Sequence, residues 1–130
     1  MNKFNMKTLC NCLSFVVLMA CSSFAAEGEK PKSSVIMEKK LEYSEELLRA
    51  MITEDFAAAE RDVKLLKTFT RLEEMYRGKR PEYRAQLTKF QESVSAISKA
   101  VDDKNLDEMS RGYADMVQSC VKCHEILRSK

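Results

Sequence analysis

Glycine and proline are scarce, with three and two among 130 residues. After Val35 only Gly78, Pro81 and Gly112 remain. No stretch there alternates apolar and polar residues long enough for a strand, so a β-rich fold is excluded. There is no internal repeat and no low-complexity region. Tryptophan is absent, and histidine occurs once, as His124. A site that needs two imidazoles therefore cannot be built from one copy of this chain. No Asp or Glu precedes Glu27.

That last absence marks off the first 26 residues. Lys3 and Lys7 give a basic start, Thr8 to Ala20 is largely apolar, and small residues follow at Ser22, Ser23, Ala25 and Ala26. This order describes a secretory signal peptide over residues 1–26, ahead of a single domain over 27–130. The apolar run is short for a membrane span. Two processing routes stay open. Cleavage after Ala25 or Ala26 releases a soluble periplasmic protein. Alternatively, Leu18-Met19-Ala20-Cys21 resembles a lipobox, and lipidation at Cys21 would tie the protein to a membrane surface.

Charge is nearly even. The chain has 22 Lys and Arg against 20 Asp and Glu, and Lys3 and Lys7 leave with the leader. A balanced domain gives no electrostatic reason to expect a nucleic-acid partner. The cysteines divide in the same way. Cys10, Cys12 and Cys21 lie in or beside the leader, and only Cys120 and Cys123 follow it. Export implies an oxidising compartment, where two idle thiols would tend to pair, so something should occupy them.

From Val35 onward, good helix formers dominate. Breaks divide the stretch into four helices. The first runs from Ser34 to Ile52, with Met37, Leu41, Leu48 and Met51 on one side. The second runs from Glu54 to Tyr76, with Phe56, Val63, Leu66, Phe69 and Leu72. Between them Thr53-Glu54-Asp55 offers capping residues, although one long bent helix also fits. Gly78 and Pro81 separate the third helix, Pro81 to Val101, with Leu87, Phe90, Val94 and Ile97. Asn105 and Glu108 form a capping-box-like pair at the start of the fourth. It runs to Arg128 with Leu106, Met109, Tyr113, Val117 and Leu127. Four such helices joined by short turns predict an all-α, antiparallel four-helix bundle.

The chemistry is concentrated near the C-terminus, in Cys120-Val121-Lys122-Cys123-His124. C-x-x-C-H is the attachment signature of c-type haem. Cysteines three apart project from nearly one face of a helical turn. Each can add to a haem vinyl group, and the next residue, His124, can reach the iron. The single imidazole of the chain thus falls where the motif requires it. Two other uses are weighed. A redox-active disulfide normally sits at a helix start after a strand, and this motif lies at the end of an all-helical chain. Structural zinc wants four ligands, and after the leader the chain has three Cys and His residues, with Glu125 a poor fourth. One covalent haem c is therefore expected.

With the motif at the end of a fourth helix, the chain resembles the class II c-type cytochromes, the cytochrome c-prime family. The likeness rests on Leu106-Asp107 opening the helix, Tyr113 seven residues before Cys120, the motif itself, and Arg128 four after His124. The first three helices match only in length and order. The resemblance implies a four-helix bundle with haem attached near the C-terminus of the fourth helix. It implies that Arg128 lies near the proximal side of the haem, though a basic residue there also complements the helix dipole. It places the sixth iron position against the first helix, where Met37 is the preferred ligand and Leu41 packs beside it. His/Met ligation suits one-electron transfer. An apolar distal residue would instead leave a five-coordinate haem that binds nitric oxide or carbon monoxide. Neither use requires substrate conversion, so no enzyme is expected. The redox partner is unspecified. A homodimer through the first two helices is implied, with Phe56 and Phe69 as candidates, though both also suit the core.

Overall fold

A computed structural model describes residues 32–77 and 80–129 of the chain. The leader, Cys21 and Gly78 lie outside the described residues. The described residues form four α-helices and no strand: α1 Lys32–Ile52, α2 Phe56–Arg77, α3 Pro81–Asp102 and α4 Leu106–Arg128. The short connections turn each helix back along its predecessor, giving an antiparallel bundle.

Local chemistry sets the breaks. Between α1 and α2 the chain turns at Glu54, which has a left-handed φ of 54°. The Asp55 amide then donates to the Ala50 carbonyl at 2.9 Å. Asp55 accepts from the Ala58 amide at 2.9 Å and caps α2. The single bent helix is thereby ruled out. The α3–α4 turn repeats the device. Lys104 has φ 51°, and the Asn105 amide donates to the Ala100 carbonyl at 2.8 Å. Asn105 then accepts from the Glu108 amide at 3.2 Å, as its sequence position predicts. Helix α3 starts on Pro81 with no side-chain cap. Proline suits that first turn because its missing N–H has no intrahelical role there.

Leu47, Leu66, Val94, Ile97, Met109 and Met116 are fully buried and form one core with their neighbours. Removing such a side chain from water stabilises by about 1.5–3 kcal/mol each. Helices α3 and α4 pack most closely, α1 and α2 next, while α1 and α4 meet only sparsely. This uneven packing corrects part of the expected core. Leu41, Leu48, Leu72 and Val117 are exposed, Leu41 by 62%. Helix α1 instead buries Ile36, Lys40, Leu47 and Ala50, a stripe rotated by one residue. Of the expected stripe, Met37 and Leu41 line the open side toward α4, Leu48 is exposed, and Met51 packs against the core.

Gly112 explains the tightness of the α3–α4 pair. It is buried, and a Cβ there would meet Ile97 Cγ1 at 2.8 Å. Alanine would gain about 1 kcal/mol in helix propensity. Overpacking costs about 1–3 kcal/mol and should outweigh that gain. Gly112→Ala is therefore expected to lower the thermal midpoint measured by circular dichroism, and Gly112→Leu to lower it further.

Candidate functional site

The sparse contact between α1 and α4 leaves a cavity of about 510 Å³. Its α1 wall carries Met37, Lys40, Leu41 and Ser44; its α4 wall carries Tyr113, Met116, Cys120, Cys123 and His124. Leu87 and Phe90 of α3 contribute an apolar floor, and Glu73 of α2 and Gln86 of α3 add polar groups. Five of the six sequence-predicted site residues are thus brought together. The sixth, Arg128, stands exposed in the last turn of α4 and is not on the cavity wall. Its placement matches the dipole role.

Helical spacing explains the arrangement. On α4, Tyr113, Met116, Cys120 and Cys123 recur at steps of three and four and so share a face. On α1, Met37, Leu41 and Ser44 do the same. One hydrogen bond spans the seam between the two helices, from the Tyr113 hydroxyl to the Ser44 carbonyl at 3.0 Å. Burial raises the Tyr113 pKa, with smaller contributions from Cys120 and Glu45.

Both thiols are free and half-buried. Burial is the largest cause raising the Cys120 pKa; nearby Lys40 opposes it. Cys123 is raised likewise, by burial and then by Glu73, against Lys40 and a hydrogen bond with Tyr83. His124 is exposed at the cavity edge. Among the described residues, no group of three His, Cys, Asp or Glu side chains forms a metal cluster.

The motif-based reading missed a buried polar cluster. Lys40 Nζ lies 2.7 Å from Glu73 Oε2 and 3.7 Å from the Phe90 ring centroid. The Tyr83 hydroxyl donates to Glu73 Oε1. Lys40, Glu73 and Tyr83 are all buried, and they come from α1, α2 and α3. Gln86 adds a buried side-chain oxygen without a hydrogen-bond partner. A signal was present. Lys40 continues the stripe of Ile36 and Leu47, and Glu73 that of Leu66 and Thr70. A lysine and a glutamate that each interrupt a buried stripe suggest an internal pair.

Phe56 and Phe69, suggested as dimer contacts, are half-buried within the bundle. Phe56 packs on the core, and Phe69 stacks on Tyr43 with ring centroids 5.6 Å apart. No helix among the described residues is long and apolar enough to cross a membrane. No protein-family model, no curated protein and no solved structure matches the chain.

Two outcomes test this geometry. Breaking a buried ion pair by removing one partner costs about 3–5 kcal/mol, whereas an apolar replacement of both is often near neutral. Lys40→Met and Glu73→Leu should each lower unfolding free energy in urea by that order, and the double variant by less than either. The thiols give the second test. Their folded-state pKa values lie above the ordinary 9.0. Stability contributed by the protonated thiols is thus present below that value and lost as pH rises past it. Near neutral pH, both cysteines of the haem-free chain should alkylate more slowly when folded than when unfolded in urea, by mass spectrometry.

Proposed function

We propose that this chain is an exported monohaem cytochrome of the class II, c-prime type, which transfers single electrons through one covalently attached haem c. The observation that carries this is the shared cavity: both motif cysteines and the only histidine of the chain border one largely apolar space. Its volume, about 510 Å³, lies within the roughly 300–1,000 Å³ range of small-molecule and cofactor sites. The donor set fits the group. Cys120 and Cys123 would form the thioether links, and His124 of the same helix would bind the iron.

When bound, the haem supplies a one-electron iron couple. The chain's residues do the rest. Leu87, Phe90 and Met116 exclude water from the cavity floor, which with ligand identity tunes the potential. Met37 stands on the wall across from α4 and is the preferred sixth ligand, with Leu41 one turn further along. Leu41 also favours a second reading. If it rather than Met37 covers the iron, the distal side is apolar and the site would bind nitric oxide or carbon monoxide. Periplasmic export, cleavage after Ala25 or Ala26, lipidation at Cys21, an unspecified redox partner and a homodimer through α1 and α2 complete the proposal. Phe56 already packs on the core and Phe69 on Tyr43, so a dimer would use other side chains of those helices.

The visible absorption spectrum tests both readings. The protein should be produced in a host with haem-attachment machinery and recorded oxidised, reduced, and reduced with carbon monoxide. Low-spin bands indifferent to carbon monoxide, lost in Met37→Ala, are expected of the electron carrier. A high-spin spectrum that shifts with carbon monoxide would replace it by the gas-binding reading. Absence of covalent haem would refute both, and Cys120→Ser with Cys123→Ser should abolish attachment.

A further inference from the structure

The α1 wall of the cavity carries a further donor besides the Met37 thioether, the Ser44 hydroxyl and the Glu38 and Glu45 carboxylates. It is the amine of Lys40, one turn beyond Met37. A neutral amine is a nitrogen donor to iron, and lysine has a flexible four-carbon stem that can redirect it. What restrains the amine comes from other helices. Its ammonium is 2.7 Å from Glu73 Oε2 on α2, and it rests 3.7 Å from the centroid of Phe90 on α3. Tyr83 holds the other carboxylate oxygen of Glu73.

A buried pair of this kind is weak as a stability device, because apolar residues of similar volume often do as well. Its position on the cavity wall gives it another use. Resting on the haem reading above, the geometry points to Glu73 as a guard. It holds the Lys40 ammonium away from the iron and so reserves the sixth position for Met37 or an incoming small molecule. Glu73 is a positioning residue, acting through Lys40, and Tyr83 steadies it. Without the carboxylate, the Lys40 amine would be free to give its proton to water and to offer its lone pair to a haem iron bound in the cavity. No electron is transferred and no other bond breaks.

The test uses the haem-loaded full chain. Mass spectrometry first establishes covalent haem in the unaltered protein; its absence would defeat the haem reading itself. With haem present, absorption and electron paramagnetic resonance spectra are compared for Glu73→Gln, Lys40→Leu, the double variant and Glu73→Asp. Glu73→Gln should show a new low-spin, nitrogen-ligated species. That species should vanish in Glu73→Gln with Lys40→Leu. Lys40→Leu alone and Glu73→Asp should keep the unaltered spectrum. A folded Glu73→Gln protein without the new species would overturn the proposal. So would a species that survives removal of Lys40, or an unaltered protein whose ligation is already lost in Lys40→Leu.

Should Glu73→Gln not fold, Met37→Ala gives an independent answer. With Glu73 intact the guard leaves it without an internal sixth ligand, so a high-spin spectrum is expected. A low-spin Met37→Ala spectrum that disappears on adding Lys40→Leu would overturn the proposal.

Discussion

The standoff between α1 and α4 governs the rest of the molecule. Helix α4 is drawn tightly onto α3, where Gly112 leaves no room for a side chain beyond hydrogen against Ile97. Helix α1 is drawn onto α2. The two hairpins join through α2 and α3, and the fourth seam stays open. An open seam in a four-helix bundle exposes apolar surface on both sides, seen here in Leu41 and Val117. It also removes the packing that would otherwise cover the cysteine motif. Cavity, exposed apolar side chains and half-buried thiols are thus consequences of one packing choice.

A polar layer crosses the bundle at the cavity. Lys40, Glu73 and Tyr83 join three helices at a depth where unpaired charge would be costly. Such a layer also fixes register, since a slip of one turn in any helix would strand a charge. The same groups that specify how α1 sits therefore decide which of its side chains face the open space.

Much of this was legible in the chain. Helix breaks followed from Asp55, Pro81 and Asn105, because caps and proline act locally and do not depend on tertiary contacts. The convergence of Cys120, Cys123 and His124 followed from spacing on one helix. The orientation of α1 did not. Its apolar positions occupy two adjacent stripes, and periodicity alone cannot say which stripe packs and which faces a void. The wider one, through Met37 and Leu41, was the natural choice, yet the bundle buries Ile36 and Leu47 with Lys40 between them. The Lys40–Glu73 pair was only half legible: each charge interrupts a buried stripe, but the partners lie 33 residues apart and only folding makes them neighbours.

All three motif side chains belong to five consecutive residues of α4, which is packed tightly onto α3. The opposing wall belongs to α1, which touches that helix only sparsely and is clasped to it by Tyr113 on Ser44. The site is therefore split into a fixed half and an interchangeable half. Met37 and Leu41, at the seam but outside the Lys40–Glu73 pair, can be exchanged with little disturbance to the α3–α4 scaffold. A family of proteins with different chemistry could be derived from this chain by rewriting a single helix face.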